Sequence, residues 1–223
     1  MVPVYQTRAF TLGFADLGER HVPAWWHVAK RATDVAVATT ALVVSAPVVA
    51  AAALAIVVST KGSPIFVQER VGKDGRPFRM FKLRTMVAGA HLMHDELRDQ
   101  SEVSGPVFKM KDDPRCFPVG RFLRRTSIDE LPNFLNVLLG DMSVVGPRPG
   151  LPHEVAHYDA YAKRRLAVKP GITCLWQVSG RSSIDFDEWM DLDNCYIDSW
   201  NPLADLAIVA ATVPAVLRAR GAH

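Results

Sequence analysis

From Val35 to Ser59 the chain carries no charged side chain. Val, Ala, Leu and Ile fill the stretch with a few small hydroxyl residues, and about 20 apolar residues suffice to cross a bilayer. The run is too long for an ordinary core helix. It is a poor signal peptide, because some thirty residues with acidic members precede it and no small-residue cleavage site ends it. The reading is therefore a retained membrane helix. Pro47, at its middle, removes a backbone hydrogen bond and clashes with the preceding turn, so a kink or break is expected there. Lys30 and Arg31 flank the entry, while Lys61, Arg70 and Lys73 follow the exit. Basic residues on both sides fit a helix that dips into the membrane and returns to the cytoplasmic face; a straight span with a proline kink is the alternative. Trp25 and Trp26 suit the headgroup layer.

The remaining length, within 223 residues of which 49% are apolar and 22% charged, allows one globular core besides the membrane element. The expected organisation is an N-terminal interfacial segment over 1–29, a re-entrant membrane helix over 30–60 and a cytosolic catalytic domain over 61–223. The net charge is only +3, yet the cations cluster at Lys30 and Arg31, from Lys61 to Arg84, and at Arg121, Arg124 and Arg125. Such clusters point to anionic lipid or phosphate-bearing substrates. No aromatic interleaving or recognisable motif points to nucleic acid. Cys116, Cys174 and Cys195 are odd in number and widely spaced, which indicates reduced thiols rather than a disulfide framework or a zinc site.

Past the apolar run, Ile65 to Arg70 and Phe78 to Arg84 read as strands joined through Gly72-Lys73-Asp74-Gly75, whose Asp-Gly step signals a hairpin. Ala88 to Arg98 reads as an amphipathic helix and Ser101 to Pro118 as a loop. Leu203 to Arg220 is a further amphipathic helix, packed in the core or lying in the membrane interface. The fold class is mixed α/β, mainly helical with a small β-hairpin, and membrane-associated through a proline-broken re-entrant helix.

The chemistry is expected between Gly120 and Pro149. Here a basic helix end (Arg124, Arg125) meets adjacent carboxylates (Asp129, Glu130), a short apolar helix, and an arginine bracketed by prolines (Pro147-Arg148-Pro149). Ser127 to Glu130 fits a capping box. Pro132 favours Asp129 as the N-cap instead, since a proline in the first turn has no N–H to lose. Either way both acids sit at a helix N-terminus, where the macrodipole should keep Asp129 ionised. An ionised carboxylate there is equipped to attack phosphorus, provided metal and basic residues neutralise the approach. Arg124, Arg125 and Arg148 are near in sequence, with Lys82 and Arg84 as partners across the fold. By spacing alone, capping and catalysis both remain open.

From Lys30 onward the chain resembles the bacterial monotopic phosphoglycosyl transferases, or bacterial sugar transferases. The resemblance rests on Lys30-Arg31-x-x-Asp34 before the proline-bearing helix; Ser63-Pro64-Ile65-Phe66-Val67-Gln68-Glu69-Arg70-Val71-Gly72; Phe81-Lys82-Leu83-Arg84-Thr85-Met86; and Arg125-x-Ser127-x-Asp129-Glu130-Leu131-Pro132 leading to Met142-Ser143-Val144-Val145-Gly146-Pro147-Arg148-Pro149. Val168 to Thr173 and Trp176 to Arg181 resemble the hexose-1-phosphate transferases acting on undecaprenyl phosphate. The resemblance implies a re-entrant helix broken at Pro47 and a ping-pong reaction on the cytoplasmic face of the bacterial inner membrane. Asp129 would attack the sugar-bearing phosphorus of a UDP-sugar, release UMP and pass the sugar phosphate to polyprenyl phosphate. Glu130 would assist the acceptor step or the metal, Mg2+ would bind at Asp129 and Glu130, and Arg148 between Pro147 and Pro149 would contact the nucleotide. Homo-oligomer formation is left open.

Two other readings compete. His153-Glu154-Val155-Ala156-His157 matches the zinc-metallopeptidase pattern, in which two histidines one turn apart bind zinc and the glutamate activates water; it lacks a clear third ligand. An inactive membrane scaffold is the other.

Overall fold

The computed structural model describes residues 23–97, 100–102, 105–108, 110, 112–179 and 185–217. The interfacial segment expected over 1–29 lies mostly outside these residues, as do Arg98, the Gly180-Arg181 end of its motif and the basic end of the last helix. Helix α1 runs from Ala24 to Thr60. Strands β1 (Ile65–Val71) and β2 (Pro77–Leu83) follow, then the short α2 (His94–Leu97), α3 (Pro118–Arg125) and α4 (Asn133–Leu139). After β3 (Ser143–Val145) come α5 (Pro152–Ala156), α6 (Ala160–Lys163), β4 (Gly171–Thr173), α7 (Leu175–Ser179), α8 (Phe186–Ser199) and α9 (Pro202–Leu217).

The hairpin is as expected. β1 and β2 are antiparallel, with Phe66 opposite Lys82 and Arg70 opposite Phe78. Asp74 and Gly75 take φ of 57° and 75°, the left-handed values that make Asp-Gly a turn signal. The far edge of β2 is closed by the fully buried Asn136 of α4. Its Oδ1 accepts from Phe81 N at 3.1 Å and its Nδ2 donates to Arg79 O at 2.7 Å, so a side chain takes the place of a third strand.

Three expectations require correction. Ala88 to Arg98 is not one helix: turns occupy 88–93 and only His94–Leu97 is helical, because Gly89 takes φ 77°, outside the right-handed helical region. α1 begins at Ala24 rather than at residue 30, and the expected break at Pro47 is absent, the helix running on to Thr60. Pro47 is exposed and removes one N–H, while the bonds on either side keep the helix continuous. A parallel pair of strands, β3 with β4, was not expected at all. Its two chains approach so closely that a Cβ on Gly171 would fall 2.1 Å from Gly146 N.

α1 packs on α4, α3, β3 and α9. Residues 34, 38, 41, 42, 45, 49, 52, 53 and 56 form its covered stripe at helical spacing, while Val43, Val44, Leu54 and Val58 stay exposed. Ala38 belongs to the main core with Val137, Val145, Leu192 and Ile208; Ala52 and Ile56 join Leu83, Phe117 and Leu123 in a smaller one.

The Lys30-Arg31-x-x-Asp34 pattern is a set of polar clamps. Lys30 Nζ donates to Val145 O at 3.0 Å and to Asp205 Oδ2 of α9 at 2.6 Å. Arg31 caps the C-terminus of α4, donating to Val137 O and Leu138 O at 2.6 and 2.9 Å. Buried Asp34 accepts from Ser143 Oγ and Val144 N, both at 2.9 Å. α9 is partly core and partly surface: Ala204 and Ile208 are buried while Leu203, Leu206 and Val213 are exposed.

Asp34→Ala orphans two buried donors, which should cost about 2–4 kcal/mol. Thermal unfolding should show a clear fall in midpoint, with exposed Thr33→Ala as the unchanged control.

Candidate functional site

α3 ends in Arg124 and Arg125, and the chain then turns through Ser127 at φ 58° into a 3₁₀ turn, Ile128–Glu130. A serine held in the left-handed region stores strain, and the strain falls immediately before the two acids. The capping expectations are corrected here. Ser127 has neither the extended backbone of an N-cap nor a capping hydrogen bond, Asp129 lies inside the 3₁₀ turn, and Pro132 occupies the position before α4. Glu130 does not reach back to Ser127, because its carboxylate is engaged elsewhere.

Glu130 Oε1 accepts from Lys82 Nζ of β2 at 2.9 Å and from Arg148 Nη2 at 2.7 Å, while Arg148 Nη1 lies 3.4 Å from Oε2. Burial alone would raise the Glu130 pKa; Arg148 and Lys82 outweigh it and hold the carboxyl well below its usual range. Arg148 is correspondingly raised by Glu130. Lys82 falls below its usual value, since burial outweighs the pull of Glu130.

Asp129 is 8% exposed, and among the described residues no hydrogen bond or ion pair reaches its carboxyl. Burial and the neighbouring Glu130 charge raise its pKa to about 6, against the opposing pull of Lys82, Arg124 and Arg148. The helix dipole expected to favour the Asp129 carboxylate does not set its pKa: desolvation and a like charge raise it, and α4 starts too far along the chain to oppose them. Two adjacent carboxyls have been given opposite characters by their surroundings.

Arg148 belongs to a loop whose carbonyls are held from three elements, β4, the 3₁₀ turn Arg164–Ala167 and β1. Gly171 N donates to Pro147 O at 2.9 Å, Arg165 Nη2 to Arg148 O at 2.8 Å, Arg70 Nη1 to Pro149 O at 3.0 Å, and Val71 N to Gly150 O at 3.0 Å. Pro147 and Pro149 are buried and stiffen this loop. Arg124 is half-buried, donates to Cys116 Sγ at 3.1 Å, and lies within electrostatic reach of Asp129. Arg84 is half-buried against Gly62, where an added Cβ would meet its Nη1 at 2.6 Å. Arg125 is exposed, and nothing brings it to the acids.

Sequence reasoning did not single out Arg70 or Arg165 for the site. Arg70 could have been found from its place in a strand paired with the Lys82 strand. Burial and Arg148 lower its pKa to about 10. Arg165 carries no local signal, since its partners lie far from it in sequence.

Among the described residues no group of three or more His, Cys, Asp or Glu side chains could hold a metal ion. That contradicts the zinc reading of His153 to His157. α5 is only five residues long, Glu154 is buried with Oε2 accepting from Leu151 N at 2.7 Å, and His157 Nδ1 is 2.7 Å from His153 O. The glutamate is used to cap a helix and one imidazole is turned to the backbone. A hard divalent cation shared with phosphate oxygens demands less, one or two carboxylates, and the unengaged oxygens of Asp129 with Glu130 Oε2 fit that requirement.

Comparison with known proteins gives the family. The family model described as bacterial sugar transferase matches residues 25–219. A galactosyl transferase, CpsE, of Streptococcus agalactiae serotype III (strain NEM316) is 49% identical over 162 residues, 72% of this chain and 36% of that protein. The exopolysaccharide production protein ExoY of Rhizobium meliloti (strain 1021) is 38% identical over 200 residues, 88% of each. The UDP-glucose:undecaprenyl-phosphate glucose-1-phosphate transferase of Escherichia coli (strain K12) is 42% identical over 195 residues, 82% of this chain and 39% of that protein. The chain thus spans little more than a third of CpsE and of the E. coli protein, and most of ExoY. With the family model covering nearly all described residues, this chain belongs to the bacterial sugar transferase family.

Proposed function

We propose that this chain moves a hexose 1-phosphate from a UDP-sugar onto polyprenyl phosphate at the cytoplasmic face of the bacterial inner membrane. The carrying observation is the asymmetry of the two acids: Glu130 is ion-paired to Lys82 and Arg148 through Oε1, whereas Asp129 is buried beside it with no hydrogen bond or ion pair among the described residues. Glu130 organises cations; Asp129 is left to react. An Asp129 oxygen forms a bond to the phosphorus that bears the sugar, and the bond from that phosphorus to the UMP oxygen breaks. UMP leaves, its developing charge met by Arg148 and Lys82. An oxygen of polyprenyl phosphate then attacks the acyl phosphate, Asp129 leaves as carboxylate, and a polyprenyl diphosphate sugar results. Mg2+, if held by Asp129 and Glu130 Oε2, supplies further neutralisation of the diphosphate. Relatives are named for galactose and for glucose, which supports a hexose and leaves its identity to experiment.

A re-entrant course of α1 fits the packing. Lys30, Arg31 and Asp34 near one end and Ile56 near the other dock on one catalytic body. A helix crossing the bilayer would have to place those two sets of contacts on opposite sides. If the reading is right, a cysteine replacing exposed His27 is labelled by a membrane-impermeant maleimide in inside-out vesicles and not in intact spheroplasts; the reverse pattern would establish a span.

The direct test is covalent trapping. With Mg2+ and a radiolabelled UDP-hexose but no acceptor, the protein should take up label and release UMP, and Asp129→Asn should do neither. Glu130→Gln, which keeps shape but loses the charge between two cations, should slow UMP release by about 10²–10³. Release at an undiminished rate from the Asp129→Asn protein would rule the nucleophile out.

The raised Asp129 pKa also predicts a stability effect. A carboxyl that moves from 3.8 to about 6 on folding binds its proton more tightly in the fold. Its stabilising contribution is complete below about pH 4 and is lost as pH rises through 6. In EDTA, with no donor present, Asp129→Asn should therefore be more stable than the parent at pH 8 by on the order of 2 kcal/mol, with the gap closing towards pH 4. Thermal midpoints across that range give the comparison.

A further inference from the structure

The buried cation Arg165 has no contact with either acid, yet it holds the backbone of the arginine that does. It lies in the 3₁₀ turn Arg164–Ala167 and is 7% exposed. Nη2 donates to Arg148 O at 2.8 Å, Nη1 donates to the buried Tyr158 hydroxyl at 2.9 Å, and Nη2 lies 2.7 Å from Asp193 Oδ2. Asp193 is on α8 and 1% exposed. A guanidinium buried this deeply is costly unless paired, and the shape of the loop alone would not require one, because the neighbouring carbonyls of residues 147, 149 and 150 have their own donors.

We propose that Arg165, held by Asp193 and Tyr158, is a positioning residue for Arg148, so that α8 sets the aim of the guanidinium at Glu130 and at the departing phosphate. The inference rests on the preceding assignment of Arg148 to the donor half-reaction. The peptide carbonyl of Arg148 is one bond from its Cα, and fixing it fixes the origin of a long side chain that must meet Glu130 within 2.7 Å. Displacement of a catalytic group by about 1 Å costs on the order of 10²-fold in rate. Lysine at position 165 retains the charge for Asp193 but, without the planar fork, cannot serve Asp193, Tyr158 and Arg148 O together.

The test is a double-mutant cycle on UMP release, using the full chain in detergent with Mg2+ and a UDP-hexose. Arg165→Lys should lower kcat by about 10- to 100-fold, read well below a thermal midpoint that the orphaned buried acceptors will lower. In an Arg148→Ala background the same change should cost less than about 2-fold, because the residue it acts through is gone. Asp193→Asn, which keeps every donor of Arg165 but removes its counter-charge, is carried through the same cycle, so a poorly folding Arg165→Lys does not remove the test; its loss should be smaller and should vanish likewise without Arg148. Losses that multiply with that of Arg148→Ala, or full activity in Arg165→Lys, would overturn the inference. Full activity in Arg148→Ala alone would instead sink the role given to Arg148 itself, and this inference with it.

Discussion

The half-buried carboxylate of Glu130 is the joint on which the site depends. It draws Lys82 from β2 and Arg148 from the loop after β3 onto one pair of oxygens, 2.9 and 2.7 Å away. Three segments far apart in sequence are thereby brought to a common point, in surroundings where an unpaired charge would be costly. The same interaction decides the state of the neighbouring acid. Because Glu130 takes the available cations and keeps its charge, Asp129 meets a like charge and little water, and its proton is held up to about pH 6. An acid in that condition is near its threshold at physiological pH. Approach of a group that adds positive charge would complete its ionisation when the substrate arrives.

That joint needs a frame, and the long apolar helix α1 supplies part of it. α1 contributes Ala38 to the main core and Ala52 and Ile56 to the smaller one. Lys30, Arg31 and Asp34 bind β3, the end of α4 and α9. β3 runs directly into the loop carrying Arg148, and α4 follows directly from the acids. A polar pattern at the entrance of an apolar helix is thus connected to the site through two short elements. Apolar residues that remain exposed on α1 and α9, such as Val43, Val44, Leu203 and Val213, would be unfavourable in water and suit contact with lipid.

Much of this was legible because the signals were local. The uncharged run, the Asp-Gly turn, and the acid pair between basic helix end and Pro-Arg-Pro are each contained within a few residues, and the structure puts Lys82, Asp129, Glu130 and Arg148 together as expected. The failures have a common physical cause. Capping arguments for Ser127 and Asp129 considered only the next helix, whereas Glu130 is claimed by Lys82, 48 residues away. The helix from Ala88 was read by period, and Gly89 with its positive φ overrode it. β3 and β4 are three residues each, too short for a pattern, and are made by backbones that touch because Gly146 and Gly171 have no side chains. Arg125 was grouped with the site through adjacency, and helix geometry points it to solvent.

The division between the acids also explains why strain is placed where it is. If Ser127 relaxed to right-handed backbone, the chain from α3 would continue as helix and the acids would advance by about 100° per residue around it. Asp129 and Glu130 would then no longer face β2 and the Arg148 loop from one short turn. The left-handed Ser127 ends α3 abruptly and permits a 3₁₀ turn, in which residues are spaced at about 120°. Glu130 can then pair with Lys82 and Arg148, while Asp129, one step earlier, lies within their electrostatic reach without a hydrogen bond to either. A like-charged neighbour that is firmly paired raises the pKa of an acid without competing for its proton. With a pKa of about 6 the carboxyl exchanges its proton close to neutral pH, and under the function proposed above the cations around an incoming phosphate would favour its ionised form.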